Sequence, residues 1–305
     1  MLFQEFGPLV GFSSVCSSAF RFPMAITRWK DRCILCWLKE NYGYIIQKYK
    51  QKNTFFYDEE KSASPAPIWS VWWQGEKNAP EIVKMCFASV NKYRGEHPFV
   101  IITKDNYQEY VSLPEHIMKK MNAGIISLTH FSDIIRLYLL THFGGLWLDA
   151  TIYVADTIQD ELFSSKYYSI KPGSKPRDYT VPQGRWTGFF QAAQKGSLLC
   201  SFVLDFQIAY WKKQMSLIDY VLMDYFFELA YEELPECRDL LDSIPINNQK
   251  VDSLRPLLNT LWSPSVLKDL TADTTFFKLT WKNKLEKTVS GRETVYGHLV
   301  KDIMT

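Results

Sequence analysis

Between about Thr129 and His142 the apolar residues recur at helical spacing, and the pattern stops at Phe143-Gly144-Gly145. Glycine just past a last helical turn adopts the left-handed cap conformation at little cost. Leu146-Trp147-Leu148 follows at once, too short for a helix and bounded by an acid, Asp149. This order of helix, glycine cap, short strand and acid constrains the chain more than any other feature. In an open α/β sheet it delivers Asp149 to the carboxyl edge, where ligands bind.

The residues upstream support such a sheet. Ile68 to Trp73 is an apolar, aromatic run closed by Gln74-Gly75, as expected of a buried first strand. Pro80 to Tyr93 carries a helical stripe of Ile82, Val83, Cys86, Phe87 and Val90, and Phe99 to Thr103 reads as a second buried strand. Strand, helix and strand joined by short links predict a parallel sheet. Beyond Ile158 the alternation fades. Lys171 to Arg185 is rich in Gly, Pro and charge and reads as a loop, and the aromatic-rich stretch from about Phe189 to Tyr231 reads as mainly helical.

A chain of 305 residues with 47% hydrophobic and 22% charged side chains can bury a core and is not disordered. Its 35 basic and 33 acidic residues leave a formal charge of +2, so no global field favours nucleic acid. Aromatic residues make up 15%, and flat faces with polar edges suit sugar rings and nucleobases as well as cores. Six scattered cysteines read as reduced thiols. Cys33 and Cys36 form a CxxC inside a predicted helix rather than at a strand-to-helix junction, which argues against redox chemistry. No run of 18 apolar residues predicts a spanning helix, and the first positive charge is Arg21, which does not fit a secretory signal. The expected location is the cytoplasm.

Residues 1 to about 27 show no clear period. From 28 to 52, Arg28, Lys30, Arg32, Lys39, Lys48, Lys50 and Lys52 outnumber Asp31 and Glu40, while Ile34, Trp37, Leu38, Ile45 and Tyr49 recur at roughly helical spacing. A basic amphipathic helix of this kind either docks peripherally on the inner face of an anionic membrane or packs on its own domain with the basic face solvated. Ser62-Ala63-Ser64-Pro65-Ala66-Pro67 breaks the helix and reads as a linker. The division expected is an N-terminal helical extension over 1–62 and a main domain over 63–305, with a donor-binding half at about 67–158 and a helical, acceptor-binding half at about 159–305.

Asp133 and Arg136 lie three apart and so project from one helical face, in a stretch otherwise filled by Ile134, Ile135, Leu137, Leu139 and Leu140. An intrahelical ion pair is the plain reading. Asp149, after the strand that follows, makes a site the sharper one: an acid there can hold a ribose hydroxyl or a divalent ion, and an Arg offers a planar fork of donors to phosphate.

The block from Ser132-Asp133-Ile134-Ile135-Arg136 through Gly144-Gly145-Leu146-Trp147-Leu148-Asp149-Ala150-Thr151-Ile152 resembles the donor site of glycosyltransferases with a sugar-binding DXD region. It is similar in particular to that of bacterial capsular polysaccharide synthesis proteins. The interval from Asp133 to Asp149 is also that between the corresponding aspartates of the related glucosylating toxins. The resemblance runs from about Pro67 to Ile158, more weakly from Trp186 to Tyr225. It implies a GT-A fold, α/β with a Rossmann-like, mostly parallel sheet and helices on both faces, extended by helices at each terminus. It also implies a nucleotide-sugar donor, hexosyl transfer with retention of configuration to a glycan or lipid-linked acceptor, and a divalent metal, Mn or Mg. Asp133 and Arg136 match donor-sugar positions, Asp149 the first acid of the motif, and Trp73 an aromatic set against the base. Where the wider superfamily has a second acid this chain has Thr151, a poorer ligand for a hard cation. Asp156 is the next acid along.

Other candidates are weaker. Asp219 and Asp224, in a segment expected to be helical from Leu217 to Leu229, either orient the acceptor or are surface charges. Trp186, Phe189 and Phe190 either stack on an acceptor sugar or pack. Lys278 and Lys282 share a face in helix or strand and either reach a diphosphate or are solvated, and His298 is a lone histidine. Two rival functions are a nucleotide-sugar-binding protein without catalysis and a metal-dependent phosphohydrolase, against which Thr151 counts.

Overall fold

The computed structural model describes residues 2–19, 24–51, 65–173 and 180–304. Lys52, the first half of the expected linker and residues 174–179 of the expected loop lie outside them. Two helices come first, α1 (Leu2–Ala19), interrupted at Gly7 with φ of 83°, and α2 (Met24–Gln51). Strand β1 (Ile68–Val71), α3 (Glu81–Tyr93) and β2 (Phe99–Ile102) form the expected strand–helix–strand unit, ending a residue or two earlier than the apolar runs. Short helices α4 (Tyr107–Tyr110) and α5 (Glu115–Asn122) lead to α6 (Leu128–His142) and β3 (Gly145–Leu148).

Helix α6 starts where the Ser127 hydroxyl accepts the His130 N–H, and it ends at Phe143 with Gly144 N–H bonded to the Leu140 carbonyl. The two glycines are required for different reasons beyond their positive φ of 69° and 100°. A Cβ on Gly144 would fall 2.6 Å from the Lys195 nitrogen, and one on Gly145 would fall 2.1 Å from the Pro67 carbonyl. Gly145 therefore lets β3 lie directly beside the entry to β1, and Gly144 lets the chain pass close to the end of β6.

After β3 come β4 (Ile152–Val154), α7 (Glu161–Ser164), β5 (Tyr167–Ser169), β6 (Phe190–Ala193), α8 (Leu198–Lys213) and α9 (Leu222–Glu233). The chain continues through α10 (Pro235–Ser243), α11 (Pro264–Thr271), β7 (Phe276–Lys278), β8 (Thr288–Val289), β9 (Arg292–Glu293) and α12 (Val295–Met304).

The central sheet has the order β2-β1-β3-β6-β5. Strands β2, β1 and β3 run parallel, and β6 runs antiparallel to both β3 and β5, so four of the five strands point one way. This corrects one expectation: Phe190–Ala193, read as part of a helical region, is an inner strand buried on both faces. Four residues, Phe-Gln-Ala-Ala, are too few to carry a period that separates strand from helix.

Side chains alternate across the sheet as the pleat requires. Trp69 and Trp147 join the core formed with α6, α8 and α9 on one face, while Ile68, Leu146 and Leu148 join Val90 of α3 on the other, with α12 packed against α3. Helices thus cover both faces. Helix α2 lies on α8 and α9, burying Ile34, Leu35, Leu38, Tyr42, Ile45, Ile46 and Tyr49. Among the described residues no helix is long and apolar enough to cross a membrane.

Candidate functional site

Asp149 sits one residue past β3, at the carboxyl edge of the parallel strands. Trp147, two residues earlier, points to the same side and donates its indole N–H to Asp149 Oδ1 at 2.9 Å. Arg136 reaches down from α6 to the same oxygen at 3.0 Å and to Asp133 Oδ1 at 3.2 Å, with its guanidinium 4.8 Å above the Trp147 ring. Gly188 makes room: a Cβ there would lie 2.7 Å from Met223 Cε and 3.1 Å from Arg136 Nη1.

The second Asp149 oxygen accepts from Lys278 Nζ at 2.6 Å. Lys278 arrives from far along the chain because β7 pairs antiparallel with β4, placing it opposite Ile152. Burial alone would push the Asp149 carboxyl up, but Lys278 and Arg136 outweigh it and hold the group at about 2. Asp133 goes the other way: burial raises it, and Asp149 adds to the rise against the pull of Arg136 and His130. Sequence spacing brought Asp133, Arg136 and Asp149 together on paper, and the fold adds Lys278 and Trp147 to them. Trp147 went unremarked as a site residue, although a Trp two before an acid on a strand shares its face.

Next to this cluster lies a cavity of about 360 Å³, lined by Trp186, Gly188, Phe189, Asp219 and Asp224 and closed by Thr27, Lys30 and Asp31 of α2. The Phe189 carbonyl accepts the Asp149 N–H at 2.9 Å, which ties cavity to cluster. Trp186 donates to Asp224 Oδ1 at 3.0 Å. Burial raises the Asp224 carboxyl to about 7, Asp133 adds to the rise, and the Trp186 bond and Arg136 oppose it. Asp219 precedes α9, which begins at Leu222 rather than Leu217, and it is paired with Lys30 at 2.7 Å. Neither aspartate is a plain surface charge. No sequence period pointed to α2 as a wall of this cavity.

The remaining candidates fall elsewhere. Trp73 lies two residues past β1 at the same sheet edge as Asp149, with its ring 5.2 Å from Tyr107 and 5.3 Å from Phe131. Phe190 is wholly buried, its ring 4.5 Å from Phe276, so it packs and does not face a ligand. Lys282 is exposed beyond β7, and His298 stacks on Trp262 at 3.6 Å. Cys33 and Cys36 are free thiols within α2.

The residues at Asp149 fit a divalent cation poorly. Both its oxygens already face cations, Thr151 is buried in the turn between β3 and β4, and Asp156 is exposed past the far end of β4, accepting from the Thr157 N–H. Among the described residues no three His, Cys, Asp or Glu side chains gather into a metal-binding group. A cation held at a diphosphate still needs one or two carboxylates with oxygens free to bind it, the phosphates and water supplying the rest, and Asp149 has both oxygens engaged by Arg136 and Lys278.

Among solved structures, the chain is similar to the PaToxG glycosyltransferase with a TM-score of 0.40 and 14% identity, over 76% of this chain and 91% of that one. No curated protein matches it. A family model described as capsular polysaccharide synthesis protein matches residues 19–299, and the chain therefore belongs to the capsular polysaccharide synthesis protein family.

Proposed function

We propose that this protein is a glycosyltransferase that moves a sugar from a nucleotide-sugar donor to a glycan or lipid-linked acceptor, with retention of configuration. The observation that carries the reading is the joining of two features at one sheet edge: two acids and two cations gathered at Asp149, and beside them a cavity with a carboxyl poised near neutral pH. Trp73 faces the donor base, Asp133 and Arg136 hold the donor sugar, and Arg136 and Lys278 face its diphosphate. Asp149 holds Arg136 in place and gathers Lys278 to the same edge. Asp219 and Asp224 receive the acceptor, with the buried Trp186 holding the Asp224 carboxyl from behind.

In the reaction the bond from the sugar C1 to the phosphate oxygen breaks, and its electron pair passes to that oxygen. The acceptor hydroxyl oxygen bonds to C1 from the same face, and its proton ends on the departing phosphate. Positive charge fixed beforehand at the leaving oxygens supplies the rate, with no covalent sugar adduct on the protein.

The test is release of nucleoside diphosphate from a panel of nucleotide sugars, with the wild type beside Asp149→Ala. Release from one donor is expected, falling in the variant on the order of 10²–10³-fold as for loss of other preorganised charge stabilisers. Binding without release would leave a nucleotide-sugar-binding protein. Absence of both binding and release would sink the reading.

A further inference from the structure

We propose that Lys278, together with Arg136, takes the place of a divalent cation in neutralising the donor diphosphate. The inference rests on the glycosyltransferase reading above and concerns how its donor site is charged.

Three observations converge on it. Strand pairing between β4 and β7 sets Lys278 Nζ 2.6 Å from Asp149 Oδ2, the oxygen turned away from Arg136. The side chain is 22% exposed, so its ammonium remains within reach of a ligand entering at the sheet edge. And the position two residues past Asp149, where a second acid would complete a cation site, holds a buried Thr151 whose backbone carbonyl is spent on Leu279 N–H.

A dication bound to Asp149 would sit beside an ammonium and a guanidinium already in contact with the same carboxylate, and like charges at that distance repel strongly in a partly desolvated site. A diphosphate meets the opposite situation. It offers several acceptor oxygens to donors already aimed at one point, and Lys278 can pass from Asp149 to a phosphate oxygen while Arg136 and Trp147 keep the carboxylate compensated. Lysine suits this exchange, because its three donors rotate freely on a flexible stem. Arg136, pinned between Asp133, Asp149 and the Trp147 ring, stays put.

The test titrates uridine and guanosine diphosphate into the full-length protein by calorimetry, once in EDTA and once in millimolar Mn, beside the release assay under both conditions. The same affinity and turnover in EDTA as in Mn are expected. Lys278→Ala should weaken diphosphate binding at least about tenfold, the equivalent of one charge-assisted hydrogen bond, and Lys278→Arg should recover most of it. Binding of the matching nucleoside monophosphate should change little in Lys278→Ala, which also reports that the variant is folded. Turnover that requires Mn in the wild type, or diphosphate affinity indifferent to Lys278→Ala, would overturn the inference while leaving the glycosyltransferase intact. Absence of both binding and release under every condition would overturn the functional reading itself.

Discussion

At the scale of single residues the two acids flanking the site carry opposite consequences for stability. Asp149 is held at about 2, below the 3.8 of an unfolded aspartate, so its contribution is present above pH 3.8 and is lost as pH falls toward 2. Asp224 is raised to about 7, so the folded state holds a proton that the unfolded chain has already released between pH 3.8 and 7. Stability from this group is full below 3.8 and declines as pH rises through 7. Asp224→Asn keeps an oxygen for the Trp186 N–H and removes the titration. Its melting temperature should therefore match the wild type near pH 4 and exceed it at pH 8, with the gap opening across that window. Thermal unfolding at a series of pH values checks this, and parallel curves would mean that Asp224 ionises freely in the folded protein. Asp224 also shows where sequence reading stops. Its spacing on a helix is that of a surface charge, and the partner that holds it, the Trp186 indole N–H, comes from 38 residues earlier.

Elements were legible where the signal is local. Helix α6 has an apolar period that stops at Gly-Gly, β3 is bracketed by the same glycines and an acid, and both are readable before any packing is known, whereas the Ser127 cap that starts α6 emerges only in the structure. Strands β5, β6 and β7 are three or four residues long and exist because neighbours pair with them, which no local pattern encodes. The same pairing decides between the two readings of Lys278, which in sequence is a lysine in the run Phe276-Phe277-Lys278-Leu279 that either reaches a diphosphate or is solvated, with nothing local to tie it to Asp149. Gly145 tests the joint between the readable elements. Gly145→Ala would have to keep φ near 100° with its methyl 2.1 Å from the Pro67 carbonyl, so β3 must move away from β1. We expect a loss of at least about 2 kcal/mol, the scale of a forced backbone strain plus overpacking. Urea unfolding measures it, and a change under about 0.5 kcal/mol, typical of surface substitutions, would show that the close approach is not needed.

On the scale of the whole molecule the question is what the N-terminal helices are for. The basic residues of α2 suggested a solvated or membrane-facing stripe, but Lys30, Arg32, Lys39, Lys48 and Lys50 each meet an acid of the main body, at Asp219, Glu232, Glu233 or Asp205. Charge complementarity orients α2 so that Thr27, Lys30 and Asp31 close the cavity beside Asp224. Attachment strength comes from elsewhere. Partly exposed ion pairs are worth about 0–1 kcal/mol each, whereas burying a large apolar side chain is worth about 1.5–3 kcal/mol, and α2 buries seven residues. Leu38, wholly buried, should therefore matter far more than Arg32, which is 59% exposed. Leu38→Ala is expected to cost about 2–5 kcal/mol and Arg32→Ala less than about 1 kcal/mol in denaturant unfolding monitored by tryptophan fluorescence. Because α2 lies on α8 and α9, both losses should appear in the single transition of the main domain. An early, separate transition confined to Leu38→Ala would instead make the N-terminal helices an independent appendage, and the cavity wall they form a contact that the main domain does not depend on.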